Sequence, residues 1–118
     1  MRHLSLALIA GMSVAIAGGA QAQSLAGQKG DVRYRTQFEN TKSPCKKAFD
    51  AYVAASGHSA YAQTPSGRIA NAEAYFCGIS RNAPSQKAAQ ERAIADCKRV
   101  GDKYKVKIAG RCEVYASK

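Results

Sequence analysis

The sequence predicts a small α+β domain: an antiparallel sheet of three to four strands with two helices packed on it, stabilised by two disulfides. Three observations carry this reading. Residues 85–101 have apolar side chains at helical spacing between a capping serine and a glycine. The flanking stretches alternate apolar and polar residues, as half-buried strands do. Four cysteines, an even number, lie downstream of a stretch with the composition of an export signal.

Residues 1–22 read as a signal peptide. Arg2 supplies the positive start, Leu4 to about Ile16 is apolar, and Ala20-Gln21-Ala22 has the small-x-small form of a cleavage site. The apolar run is shorter than the roughly 20 residues a spanning helix needs. The first cysteine is Cys45, which excludes lipid attachment at the signal junction. The expected compartment is the periplasm or the exterior, with no membrane span after cleavage.

Residues 23–40 form a flexible arm or an edge strand: Gly27 and Gly30 loosen the chain, and Val32, Tyr34, Thr36 and Phe38 alternate. Residues 41–118 then make one domain, too short to bury a large core without covalent help. Ser43-Pro44 opens a helix of about 44–56, with Cys45, Ala48, Phe49, Tyr52 and Val53 on one face and Gly57 as its stop. His58 to Thr64 reads as a strand, and Thr64-Pro65-Ser66-Gly67 as a turn. A second strand, about 69–80, is apolar on both faces, as expected of a central strand covered on two sides. Arg81–Pro84 leads into the second helix.

That helix is the best-marked element. Ser85 is the cap; Ala89, Ala93, Ile94, Cys97 and Val100 form the buried stripe. Lys87 with Glu91 and Arg92 with Asp96 are spaced for ion pairs, and Gly101 is placed as the left-handed stop. Beyond it Tyr104, Val106 and Ile108 face inward, opposite Lys103, Lys105 and Lys107. After a turn at Ala109-Gly110, Cys112, Val114 and Ala116 take one face and Arg111, Glu113 and Tyr115 the other. Gly67, Gly78, Gly101 and Gly110 all read as turn or bulge positions. Four cysteines permit three pairings, and the sequence alone does not choose. The arrangement favoured here is Cys97 with Cys112 and Cys45 with Cys77. The first would close a short loop from the inner face of the helix to that of the last strand, stabilising by about 3 kcal/mol.

The runs Cys45-Lys46-Lys47-Ala48-Phe49, Gly57-His58-Ser59-Ala60-Tyr61-Ala62, Ser85 through Cys97, and Arg111-Cys112-Glu113-Val114-Tyr115-Ala116 together give the chain a known look. Residues 41–118 resemble a group of small exported proteins of Gram-negative bacteria of unestablished function, some of which bear the name 5-aminolevulinic acid synthase. Such a synthase needs a large pyridoxal-phosphate fold with a Schiff-base lysine. A chain this short, exported and cysteine-bridged, cannot build one. The resemblance therefore implies fold and no catalytic residue.

Chemistry-bearing residues are sparse. No CxxC pair, histidine cluster or glycine-rich phosphate loop occurs, so neither a metal nor a cofactor is expected. His58 is the one histidine past the leader, and a hydrolase acting on an envelope polymer would have to use it with a nearby carboxylate. The stronger functional signal is charge. Eighteen Lys and Arg stand against eight Asp and Glu, and only Arg2 among the cations lies in the leader. Lys103, Lys105 and Lys107 would stand about 6–7 Å apart on one strand face, with Arg111 close by. Such a ridge attracts polyanions, although lysines also guard edge strands against aggregation. The expected activity is thus non-catalytic: binding an anionic envelope component or a partner protein through a basic face. Nucleic acid is disfavoured for want of an aromatic stacking platform. A purely structural role in the envelope is the third possibility.

Overall fold

A computed structural model describes residues 23–38, 40–65, 75–104 and 110–118. In chain order these form β1 (Asp31–Val32), α1 (Pro44–Ala54), β2 (His58–Gln63), β3 (Cys77–Ala83), α2 (Gln86–Asp102) and β4 (Glu113–Ser117). The strands make one antiparallel sheet in the order β1-β4-β2-β3, so the last strand inserts between the first and the second.

Strand periodicity decides what each helix touches. In β2, Ala60 and Ala62 point to one side and pack with Ala89, Ala93 and Cys97 of α2. Tyr61 between them points to the other side and packs with Cys45, Phe49 and Tyr52 of α1. The helices therefore lie on opposite faces of the sheet. β3 is apolar on both faces for this reason, yet it is an edge strand in the sheet order and not a central one. It also runs on to Ala83, through residues expected to be linker; positions 69–74 lie outside the described residues.

The two disulfides tie a helix to a strand on each face: Cys45–Cys77 joins α1 to β3, and Cys97–Cys112 joins α2 to the segment entering β4. α2 starts as expected, with the Ser85 hydroxyl accepting the Ala88 amide proton at 3.0 Å. Its end differs. Gly101 remains helical, and the helix finishes at Lys103 in the right-handed region. Asp96 pairs with Arg99 and not with Arg92, while its other oxygen accepts the Ile79 amide of the exposed β3 edge at 3.0 Å. The i, i+4 ion pair seen is Lys46–Asp50 on α1.

Two bulges bend the sheet. An extra residue in β3 puts Asn82 at φ 54°, a conformation Asn tolerates, and its side chain accepts the Gly57 amide at 2.8 Å. An extra residue in β4 turns both Tyr115 and Ala116 toward α1, which breaks the alternation expected from Arg111 to Ala116. Gly78 is neither turn nor bulge. It lies inside β3, where a Cβ would stand 2.2 Å from the Cys97 nitrogen and 2.6 Å from the Ala93 oxygen, so α2 rests directly on the strand backbone.

The 23–40 segment is threaded into the domain. Leu25 and Gly27 donate their amides to Ser56 and Val53 at the end of α1, and Tyr52 donates its hydroxyl to the Lys29 carbonyl. Gly30, at φ 63°, passes so near the Ser117 carbonyl and the Tyr52 hydroxyl that no side chain fits there. Lys118 completes this corner. Its ammonium donates to the carbonyls of Leu25, Gln28 and Val53, and it lies over the Tyr52 ring at 5.2 Å.

Candidate functional site: a groove beside the second helix

A helix with its side chains is about 10 Å wide, enough to cover two strands at 4.8 Å spacing. α2 lies over β3 and β2, meets β4 only at its margin, and its backbone does not approach β1. Among the described residues no helix lies over the outer side of β4 and the two-residue β1 on this face. The result is a groove of about 990 Å³ with α2 as one wall, β1 as the other and β4 as the floor.

The floor is apolar at one end, where Ile94 and Val114 meet Cys112 of the buried disulfide. At the other end it is polar and ordered. Gln86 and Gln90 both donate to the Ser117 hydroxyl, at 3.0 and 2.8 Å, and Gln86 also reaches the Asp31 carboxylate at 2.7 Å. Four cations rim the groove: Arg33 after β1, Lys87 and Lys98 on α2, and Arg111 before β4. Three carboxylates accompany them. Asp31 is held by Gln86 and Glu113 lies 3.5 Å from Arg111, whereas Arg33, Lys87 and Lys98 make no ion pair among the described residues.

Of the residues singled out in the sequence, Arg111 is the one brought to this rim. Lys103 is exposed at the end of α2, with its ammonium 6.0 Å from the Tyr104 ring centre. Lys105 and Lys107 lie outside the described residues, as does the rest of the strand expected after Tyr104. Tyr104 itself, expected to face inward, is 52% exposed and stacks on Phe76, ring centres 5.7 Å apart and planes within 10°. It borders a second, smaller concavity of about 430 Å³, beside the Cys45–Cys77 bridge. Lys118 is buried, and burial lowers its pKa. His58 is exposed at the first position of β2 and lines neither concavity. No group of three or more metal-ligating side chains occurs among the described residues.

The sequence reading missed Arg33, Lys87 and Lys98 as a set. Each looks like an ordinary solvated cation until the sheet order carries β1 beside β4 and opposite α2. A signal was nonetheless present on α2: Lys87, Glu91, Ile94 and Lys98 recur at i, i+4, i+7 and i+11, a second stripe beside the buried one.

Two disulfides fit an oxidising compartment outside the cytoplasm, and no helix among the described residues is long and apolar enough to cross a membrane. Compared with protein-family models, curated proteins and solved structures, the chain finds no match.

Proposed function

We propose that this chain is an exported, non-catalytic binding protein of the periplasm or exterior, which holds an anionic ligand along the groove between α2 and the β1–β4 half of the sheet. The observation that carries this reading is the convergence of Arg33, Lys87, Lys98 and Arg111, from three separate elements, on one concave surface. Cations in a concavity reinforce one another, because low-dielectric walls focus their field. Past the leader, seventeen Lys and Arg against eight Asp and Glu add long-range attraction to any polyanionic partner. The signal-like leader and the two bridges support export.

Retention on immobilised heparin and on immobilised lipopolysaccharide tests the proposal. Retention at low salt is expected, with elution in moderate salt as charges are screened. The triple variant Arg33→Ser, Lys87→Ser, Lys98→Ser is expected to elute at clearly lower salt than the triple variant Lys103→Ser, Lys105→Ser, Lys107→Ser. Equal elution of the first triple and the unaltered chain would remove the groove. A loss confined to the second triple would move the site to the lysine ridge.

A further inference from the structure

We infer that the groove's occupant is an acidic amphipathic helix from a partner protein, laid alongside α2 so that it completes the helical layer on that face of the sheet. This rests on the reading of the groove as an anion-accepting site and specifies the partner. Three observations carry it. The first is width. The surface of β4 with the short β1 beside its end, which no described helix covers, has the width of one helix lying 8–10 Å from α2. A helix about 10 Å in diameter fills roughly 420 Å³ per 5.4 Å turn, so the 990 Å³ groove takes a little over two turns.

The second is the stripe on the α2 wall. Lys87, Glu91, Ile94 and Lys98 follow one face over three turns, about 16 Å, with an apolar residue between cations. A straight row of this kind is what a second helix packs against. Its complement has an apolar residue at the centre and a carboxylate about a turn away on each side.

The third is the floor. Val114, opposite Ala62 on the α2 side of the sheet, lines the bottom with Ile94 and Cys112 and gives an apolar strip there. A glycan or nucleic-acid backbone would gain nothing from that strip, and no aromatic ring lines the groove for a sugar or base to stack on. The apolar side of an amphipathic helix would bury it, with acidic flanks reaching Arg33, Lys87, Lys98 and Arg111.

Selection of random 18-residue displayed peptides on the oxidised chain tests this. The selected peptides are expected to carry apolar residues at i, i+3 or i+4, and i+7 with Glu or Asp beside them, and to become helical by circular dichroism on binding. Their affinity should fall about tenfold or more on Val114→Ser and on Ile94→Ser, each worth about 1.4 kcal/mol. A thermal melt checks that both variants keep the fold. Lys98→Glu should weaken binding, and a peptide with one carboxylate changed to lysine should restore it. A selection yielding no helical binder, or one whose peptides alternate with period two, overturns the inference, as does affinity unchanged by both serine variants. Heparin retention on those same neutral variants separates the two ideas. Retention kept while the peptide result fails removes only the helix, whereas loss of groove-dependent retention removes the anion site as well.

Discussion

The two faces of the sheet solve the same packing problem with opposite materials. Between α2 and the sheet lie Ala60, Ala62, Ala89, Ala93, Cys97 and the bare backbone of Gly78, with Phe76 the one ring of that cluster at the helix end, so over Gly78 helix and sheet touch almost main chain to main chain. Against α1 stand rings: Phe38, Phe49, Tyr52, Tyr61 and Tyr115, packed edge to face or tilted with centres 5.3–6.4 Å apart. Small residues bring a helix close but fill little breadth, and α2 covers only two strands. Rings fill breadth but carry hydroxyls, each of which must find a partner in the interior. Tyr52 bonds to the Lys29 carbonyl, and Tyr61 bonds to the buried side chain of Gln63 at 2.5 Å. The tight face leaves the groove, and the broad face draws the 23–40 segment over it as a lid of main chain.

The largest effect that separates the faces comes from alkali, because the titratable core groups all lie on the ring side. Burial raises the Tyr52 hydroxyl to about 12, with the Asp31 carboxylate adding to the shift. Burial also raises Tyr61, helped by Tyr75 and Tyr115, and raises Tyr115, helped by Glu113 and Tyr34. A tyrosine that keeps its proton in the folded chain after the unfolded chain has lost it stabilises the fold fully below its unfolded pKa near 10. That stability is lost as pH rises toward the folded value. Between pH 10 and 12 each of Tyr52 and Tyr61 should cost about 1.4 kcal/mol per pH unit. The lowered pKa of Lys118 acts in the opposite sense in its own window and offsets part of one of them. The part of the tyrosinate absorbance that disappears on Tyr52→Phe and on Tyr61→Phe should therefore rise in one cooperative step that coincides with loss of the far-ultraviolet helix signal. Either of those two rings titrating near 10 in a chain that stays folded would show that the ring face admits water.

A smaller effect reverses the asymmetry by adding volume on one side and removing it on the other. Gly78→Ala puts a methyl group where the α2 backbone already stands, and no rotamer relieves a clash with main chain. A loss of about 3 kcal/mol is expected, the upper end for overpacking. Phe49→Leu removes part of a ring among other rings that can lean in, and about 1 kcal/mol is expected, within the range for substitutions that keep most of the volume. Urea titration of the two variants checks the ranking. A Gly78→Ala chain as stable as Phe49→Leu would show that α2 can rise off the sheet despite the Cys97–Cys112 bridge.

Much of this was legible before the fold was known, and the residues say why. Ser85, the Ala89–Ala93–Cys97 stripe and Ser43-Pro44 specify local structure through neighbours a turn away, so α1 and α2 were readable within a few residues. The bridges were open in the sequence, and the favoured pairing of the three is the one present. Two-sided cover could be read from the apolar faces of the second strand, but which helix takes which face could not, because it depends on which side of β2 Tyr61 takes. Gly78 looks like any turn glycine until a helix is laid on it. The groove was illegible for the same reason: it is the part of the sheet that no local pattern covers, and Arg33 reaches Lys98 only through the strand order. Tyr104 was misread because strand alternation was extended back to a residue that caps Phe76 from outside.

The smallest expected effect concerns the segment drawn over the ring face, and it is local. Lys118 is 5% exposed, yet no carboxylate is bonded to it; main-chain carbonyls of Leu25, Gln28 and Val53 take its protons. Lys118→Met keeps the stem over Tyr52 and removes the charge; the Leu25 and Val53 carbonyls keep the Gln28 and Gly27 amides, and the Gln28 carbonyl loses its donor. An unsatisfied buried carbonyl costs about 1–3 kcal/mol when trapped, but this one need not stay trapped. It belongs to a turn near the start of the described chain, and that turn can lift into water for the loss of two amide bonds to the end of α1. The cheaper route wins, so the change in global stability should stay below about 1 kcal/mol. Hydrogen exchange should show the Leu25 and Gly27 amides opening at nearly unstructured rates while those of β2 and β4 keep their protection. If instead the whole domain melted as a unit, the lid would be an integral part of the core, and the ring face could not form without it.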